Sequence, residues 1–388
     1  MSNMPPESIF LHNYRVMAPS SLVRYPRGHH TLLPVIEACD NTGLPVGPFS
    51  AEWKALRDQR LQKLSREATP LDTVIPFFLR APAELDDPQE QPLGFVRQDV
   101  LQAMKTHNTD MGDQPIFEFL GGQEAPWAVA FAEQLNDPKD PKHAFALRTR
   151  AMTNMVEGWR DANLFLENLK GWRDERYAVY AASSKEPGAP SSVAFFLERS
   201  ATALFGMATF GVHLNGYYID PTTHEYRFWI SRRSKTKQTW PDCLDNTVAG
   251  GITERDAPLD SIIRECGEEA SLPAVWVQKN LCPAGLVTYV RKDDLNYLFP
   301  ECQYVYDLTM PEDHSTIPKP NDDEVDNFQC LSANEVVDEM FNGNFKPNCA
   351  LVLIDFFIRR GLITSETDSR YNEICRRLRR EIAMPGPA

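Results

Sequence analysis

The chain has 388 residues, 42% of them hydrophobic and 10% aromatic, with a formal net charge of -14 at pH 7. That length exceeds what one core usually organises, so two domains are expected. The acidic balance excludes a general nucleic-acid or membrane-surface binder, because those partners are themselves anionic, and no apolar run is long enough to span a bilayer.

Residues 8–36 contain no acid and three arginines, Arg15, Arg24 and Arg27. We expect an N-terminal arm over 1–30; its composition has the flavour of an organellar presequence, with a poorly ordered arm as the plainer reading. In AEWKALRDQRLQKLSRE (51–67), Trp53, Leu56, Leu61 and Leu64 recur at helical spacing and predict an amphipathic helix. Pro- and acid-rich loops follow at 81–92 and 136–142, separated by PLGFVRQDVLQAM, a strand end running into a helix. The stretch 147–169 is helical in its first part, and RYAVYAAS and VAFFLERS are strands flanking a connection at 183–192. An accessory domain of mixed α and β is therefore expected over 31–200.

Beyond residue 200 the texture changes to short apolar strands: LFGMATFGVHLNGYYI, EYRFWISRRS, GLVTYV and ECQYVYDL. Helices are expected in LSANEVVDEMFNG and NCALVLIDFFIRRG, which gives an α/β or α+β sandwich over 201–366. A basic helix and tail close the chain over 367–388, its arginines 370, 376, 377, 379 and 380 read as a solvated face balancing nearby acids. Eight scattered cysteines without CxxC pairs fit reduced thiols inside a cell. We expect a cytoplasmic location, with a mitochondrial or other organellar one as the alternative, and a monomer or homodimer.

The stretch GGITERDAPLDSIIRECGEEASLP (250–273) carries the chemistry. Asp256 and Pro258 suit a helix start, and Leu259, Ile262, Ile263 and Cys266 recur at i, i+3, i+4 and i+7 as the expected buried face. Glu265, Glu268 and Glu269 lie beside it on an arc of about 100 degrees. Each like-charge pair costs an isolated helix roughly 0.2–0.5 kcal/mol, and Gly267 about 1 kcal/mol more. A solvated acidic face is the ordinary account of such a run. Three convergent carboxylates behind a glycine entry also suit a hard divalent cation such as Mg2+.

These residues resemble the Nudix box: Gly250, Arg264, Glu265, Glu268, Glu269 and Leu272 stand at matching positions. Asp256 departs from the family glutamate and Ser271 from the late glycine. The resemblance implies an α/β/α sandwich with a mixed sheet and a diphosphate hydrolase using Mg2+ or Mn2+. It makes Glu265, Glu268 and Glu269 the metal ligands, with Arg264 holding a carboxylate and Gly250 and Gly251 shaping the loop.

The stretches 92–101, 171–180, 197–217, 232–251 and 348–364 further resemble the thiamine pyrophosphokinase-related Nudix proteins, although PDCLDN (241–246) departs from their pattern. That subgroup implies thiamine diphosphate, or its oxo and oxy forms, cleaved to the monophosphate. ADP-ribose or another nucleoside diphosphate derivative is the alternative substrate, and a catalytically silent binding module the alternative of another class. Arg232, Arg233, Lys235 and Lys237 cluster as phosphate recognition requires, beside Arg227, and Trp240 is placed to stack on a ring. Trp229 reads as core. Glu324, in NDDEVDNF, is the candidate base or extra ligand, with Glu301 as a further acid, and His213 reads as a satisfied core histidine.

Overall fold

The structure is a computed structural model that describes residues 22–42, 74–82, 91–181, 193–254, 256–382 and 384–387. The expected helix at 51–67, the connection at 183–192, and most of the arm and of the 81–92 loop lie outside the described residues.

Helix α1 (Leu33–Cys39) comes first, opened by a proline in its first turn. Strands β1 (Val74–Phe78), β2 (Gly94–Arg97), β3 (Phe117–Leu120) and β4 (Ala128–Phe131) then form a four-stranded sheet in the order β2-β1-β4-β3. Only the β1–β4 pair is parallel, and both strands are buried along their whole length, as strands covered on two faces must be. Helix α2 (Gln98–Asp110) starts directly where β2 ends, the expected strand-into-helix. Helix α3 (Pro141–Asp161) combines proline in its first turn with an Asp140 side chain that accepts from the His143 N–H. A short helix α4 (Leu166–Leu169) leads to the antiparallel pair β5 (Arg176–Tyr180) and β6 (Val193–Glu198). The 3-10 segment Arg199–Phe205 closes this unit, with Ala201, Leu204 and Phe205 in the same core as Phe77 and Trp159.

The second unit is built on a seven-stranded mixed sheet. Its strands are β7 (Thr209–Ile219), β8 (Tyr226–Arg233), β9 (Leu244–Asp245), β10 (Val248–Gly251), β11 (Leu281–Lys292), β12 (Leu298–Thr309) and β13 (Val325–Ser332). The main order is β11-β12-β7-β8-β13, with β10 beside β7 and β9 beside β8; β12 and β7 run parallel. Helices α5 (Pro258–Ala270) and α6 (Ala274–Asn280) cover one face, packing Ile262, Cys266 and Val277 on Val212 and Leu214. Helices α7 (Ala333–Phe341), α8 (Pro347–Arg359) and α9 (Tyr371–Arg377) cover the other. This is the expected α/β/α sandwich. Helix α1, placed by the sequence with the accessory domain, packs its Val35 and Ile36 into this second core.

Three local expectations are corrected. Leu259 is 45% exposed, and the buried positions of α5 are Ser261, Ile262, Cys266, Glu269 and Ala270. The buried stripe is thus rotated toward the glutamates, with Leu259 in the first turn left outside it. Asp256 caps nothing: Ala257 is the N-cap without a side-chain bond, and Asp256 accepts instead from Arg264 at 3.1 Å. The C-terminal arginines are not merely a solvated face. Helix α9 ends at Arg377, and beyond it Arg380 meets the fully buried Asp40 at 2.7 Å while Arg379 meets Asp355 at 2.5 Å.

Candidate active site

Helix α5 is pinned by its apolar residues so that two of its glutamates lie against β10. The backbone N–H of Ala249 donates to Glu269 at 3.0 Å, and Glu269 is only 6% exposed. Glu265 lies over Gly250 so closely that a Cβ there would fall 2.2 Å from its carboxyl carbon. Gly250 is thus required by close approach rather than by an unusual φ. Ser271 ends the helix at φ +54, taking the left-handed turn that a glycine makes without strain.

Arg264 fans across the acids, 3.0 Å from Glu265, 2.6 Å from Glu268 and 3.1 Å from Asp256. It thereby bridges Glu265 and the half-exposed Glu268. Burial pushes the Glu265 carboxyl up to about 7 against the lowering pull of Arg264, and the charge on Glu268 adds to the rise. Glu269 is pushed well above the ordinary carboxylate range by burial, then by Glu265 and Asp245. Two buried carboxyls that destabilise each other's charge fit a divalent cation, which restores both as carboxylates and prefers oxygen donors. Glu265, Glu268 and Glu269 are the residues that would hold it.

A second acid-bearing cluster, His213, Asp245 and Cys349, gathers its ligand atoms within 4.8 Å. It is an internal polar network instead. Arg233 donates to Asp245 at 3.1 Å, Cys349 donates to the same carboxylate, and the His213 Nδ1 meets Asn246 at 2.7 Å.

The glutamates open into a cavity of about 1280 Å³ lined by both units. The accessory unit contributes Arg173, Tyr177 and Arg199, and the second unit Arg233, Lys237, Trp240, Gly250, Gly251 and Glu324 with the helix acids. Lys237 pairs with Glu324 at 2.5 Å. Burial alone would raise the Glu324 carboxyl, but its bond to Lys237 and that charge outweigh it and hold the group below its ordinary value.

The structure therefore separates the expected basic cluster. Arg233 and Lys237 reach the cavity, and Trp240, 40% exposed and at φ +52, stands at its rim. Arg232 and Lys235 do not line it: Arg232 turns to Asp242, at 3.2 Å from the carboxylate, and Lys235 is exposed to solvent. Alternation along β8 and its following turn decides this, since Arg232 and Arg233 must point to opposite faces. Arg227 pairs with Glu335. Trp229 is half-buried against the α5-side core, close to its expected place.

Arg173, Tyr177, Arg199 and Gln303 were not singled out in the sequence, and Glu301 and His213 are more central than it indicated. Arg199, beside Glu175 at 2.9 Å and over the Tyr177 ring, opens the 3-10 segment that closes the accessory unit. Gln303 is two residues from Glu301 on β12, and that spacing is the only signal the sequence offered.

A model of the NUDIX domain matches residues 216–349, and one of a domain of unknown function, DUF4743, matches residues 59–209. Nudix hydrolase 20, chloroplastic, of Arabidopsis thaliana is 30% identical over 327 residues, 83% of this chain and 77% of that protein. The chain belongs to the Nudix hydrolase family. Nudix hydrolase 24, chloroplastic, of the same plant is 28% identical over 323 residues, 83% of this Nudix chain and 77% of its own. An uncharacterized protein of Saccharomyces cerevisiae is 39% identical over 230 residues, 57% of this chain and 64% of the yeast protein. The NUDIX match spans helix α5 and its glutamates, and family membership makes the chain a hydrolase acting on pyrophosphate bonds.

Proposed function

We propose that this Nudix protein hydrolyses a small-molecule diphosphate, thiamine diphosphate or its oxidised analogues, to the monophosphate and phosphate. The observation that carries the hydrolase reading is one cavity lined both by the box glutamates and by Arg173, Arg199, Arg233 and Lys237. Guanidinium groups bind phosphate oxygens bidentately, so cations sharing a cavity with metal-binding acids suit a diphosphate. A divalent ion on the glutamates supplies charge neutralisation and a more acidic water.

The chain's own residues do the rest. Arg264 releases or holds Glu265 and Glu268 as the charge between them changes, and the Ala249 N–H fixes one Glu269 oxygen. Glu324 is kept ionised by Lys237, and it serves as the proton acceptor for the attacking water. The accessory unit closes the cavity over the diphosphate through Arg173 and Arg199. The thiamine reading is supported by the likeness of the five stretches named above and by a cavity of about 1280 Å³, roomy enough for a diphosphate ester carrying two linked rings.

Phosphate release from thiamine diphosphate, its oxidised analogues and ADP-ribose, with and without Mg2+, tests the proposal. Metal-dependent release from the thiamine compounds is expected, with Glu268→Gln lowering kcat at least about 100-fold. No turnover of any of them, or a Glu268→Gln enzyme at the wild-type rate, sinks the hydrolase reading. Turnover confined to ADP-ribose sinks only the substrate.

A further inference from the structure

The hairpin of β5 and β6 ties the accessory unit to the glycine loop of the box. Alternation along β5 sends Val179 into the accessory core, and Ala178 and Tyr180 into the core beneath α5. Just past β10 the chain locks onto the start of that strand. The Glu254 N–H donates to the Arg176 carbonyl at 3.1 Å, and the Glu254 carboxylate meets the Arg176 guanidinium at 2.8 Å. Next along β5, Tyr177 reaches Gly251, the last residue of β10.

The two glycines therefore make room for different groups. Neighbours on a strand point to opposite faces, so the space open beside Gly250 takes the Glu265 carboxyl and the space open beside Gly251 takes the Tyr177 hydroxyl. A Cβ at Gly251 would fall 2.1 Å from that oxygen and 3.1 Å from the ring carbon bearing it. The end of β10 is held between a box acid on one face and a phenol from the accessory unit on the other.

Tyr177 is 6% exposed and lines the cavity, yet among the described residues its hydroxyl has no hydrogen-bond partner. Buried tyrosine hydroxyls ordinarily find one. Burial pushes this hydroxyl up from its ordinary value against the lowering pull of Arg199, so the group stays protonated and is a donor. Its surroundings decide what it can donate to. The Arg199 guanidinium lies 5.2 Å from the centre of the Tyr177 ring, and Arg173 lines the same cavity with no carboxylate partner among the described residues. A free O–H donor and an unpaired cation beside the box acids suit an oxygen-rich anion.

We propose that Tyr177, supplied by the accessory unit, contacts the substrate: its hydroxyl donates to a phosphate oxygen of the diphosphate seated against the glycine loop. This deepens the hydrolase reading and rests on it for the identity of the anion. Arg173 and Arg199 supply charge, which attracts a phosphate from any direction. Tyr177 supplies a directed hydrogen bond, which fixes where the phosphate stands relative to Gly251 and the glutamates. The accessory unit thus completes the site with a donor that the box itself lacks.

The experiment measures binding of inorganic pyrophosphate to the full-length protein by calorimetry in EDTA, where nothing turns over; hydrolysis of the diphosphate that turns over is followed separately in Mg2+. Tyr177→Phe removes only the hydroxyl, and it should weaken pyrophosphate binding about tenfold and lower kcat/KM by a similar factor, with Tm and Mg2+ half-saturation unchanged. Gly251→Ala displaces the same hydroxyl, so it should weaken pyrophosphate binding alone but add less than about threefold in a Tyr177→Phe background. Pyrophosphate binding by Tyr177→Phe within about twofold of wild type, or none by the wild type, overturns the proposal. A loss accompanied by a lowered Tm or a shifted Mg2+ half-saturation overturns it too, because the hydroxyl would then be holding the loop rather than the ligand. Weakened pyrophosphate binding in a protein whose wild type releases no phosphate from any diphosphate removes the hydrolase reading and leaves the contact standing.

Discussion

Gly250→Ala probes the geometry of the box most directly. The backbone at Gly250 has no positive φ, so alanine is conformationally allowed and the new methyl is the whole perturbation. Its Cβ would lie 2.2 Å from Glu265 Cδ, 2.3 Å from Oε1 and 2.5 Å from Cγ, against 3.4–4 Å for ordinary contact. The carboxyl must therefore retreat by roughly 1 Å, and a displacement of that size in a reacting site costs on the order of 100-fold in rate. The loss of stability should stay below about 3 kcal/mol, because the clash is with the far end of a rotatable side chain. Phosphate release as a function of Mg2+ concentration reads kcat and metal half-saturation together. We expect kcat to fall about 100-fold and half-saturation to rise about tenfold, with an unaltered circular dichroism spectrum. Shortening the acid should relieve the clash, so Gly250→Ala in a Glu265→Asp background should cost little beyond Glu265→Asp alone. Gly250→Ala with kcat within about threefold of wild type and unchanged metal dependence would refute the claim that this glycine seats a metal-holding carboxylate.

Three further outcomes follow from the same structure. Glu269→Gln keeps an acceptor for the Ala249 N–H but loses a buried charge, so the metal-free protein should melt no lower than wild type while the Mg2+-dependent rise in Tm disappears; a retained rise would show that Glu269 is no ligand. Arg380→Ala strips the nearest cation from the fully buried Asp40 and should cost about 3 kcal/mol in urea unfolding, with a loss under about 1 kcal/mol contradicting the pairing. Burial lowers His213 from 6.5 to about 4, so the folded state binds its proton less readily than the unfolded one. Its contribution, about 3 kcal/mol, is therefore present above pH 6.5 and lost as pH falls toward 4. The urea midpoint of the wild type should drop more between pH 7 and pH 5 than that of His213→Gln, and equal slopes would place the titration elsewhere.

Local order determined what the sequence could reveal. The 209–219 and 226–233 strands, the 98–110 and 347–359 helices and the box helix were all legible, because apolar periodicity and proline or acid at helix starts are properties of neighbours in the chain. So was the grouping of Glu265, Glu268 and Glu269, since they share one short helix. Their inequality was not legible. Burial and Arg264 make Glu269 an interior group, Glu265 a largely covered one over Gly250, and Glu268 a surface one, and each of those facts belongs to the packing of α5 on β10. The basic cluster at 227–237 failed in the same way: adjacency put five cations together, and strand alternation dispersed them.

The sequence by itself determined a box of acids, two domains and an acidic overall charge. Only the tertiary structure decided that Arg173 and Arg199 belong to the same cavity as Glu265, and that Gln303, Gly211 and Gly251 stand side by side. Those residues are 40 or more positions apart along the chain or in another unit, as Gln303 is from Gly251. Sheet register and the docking of the accessory unit bring them together, and neither leaves a periodic trace in the residues it joins.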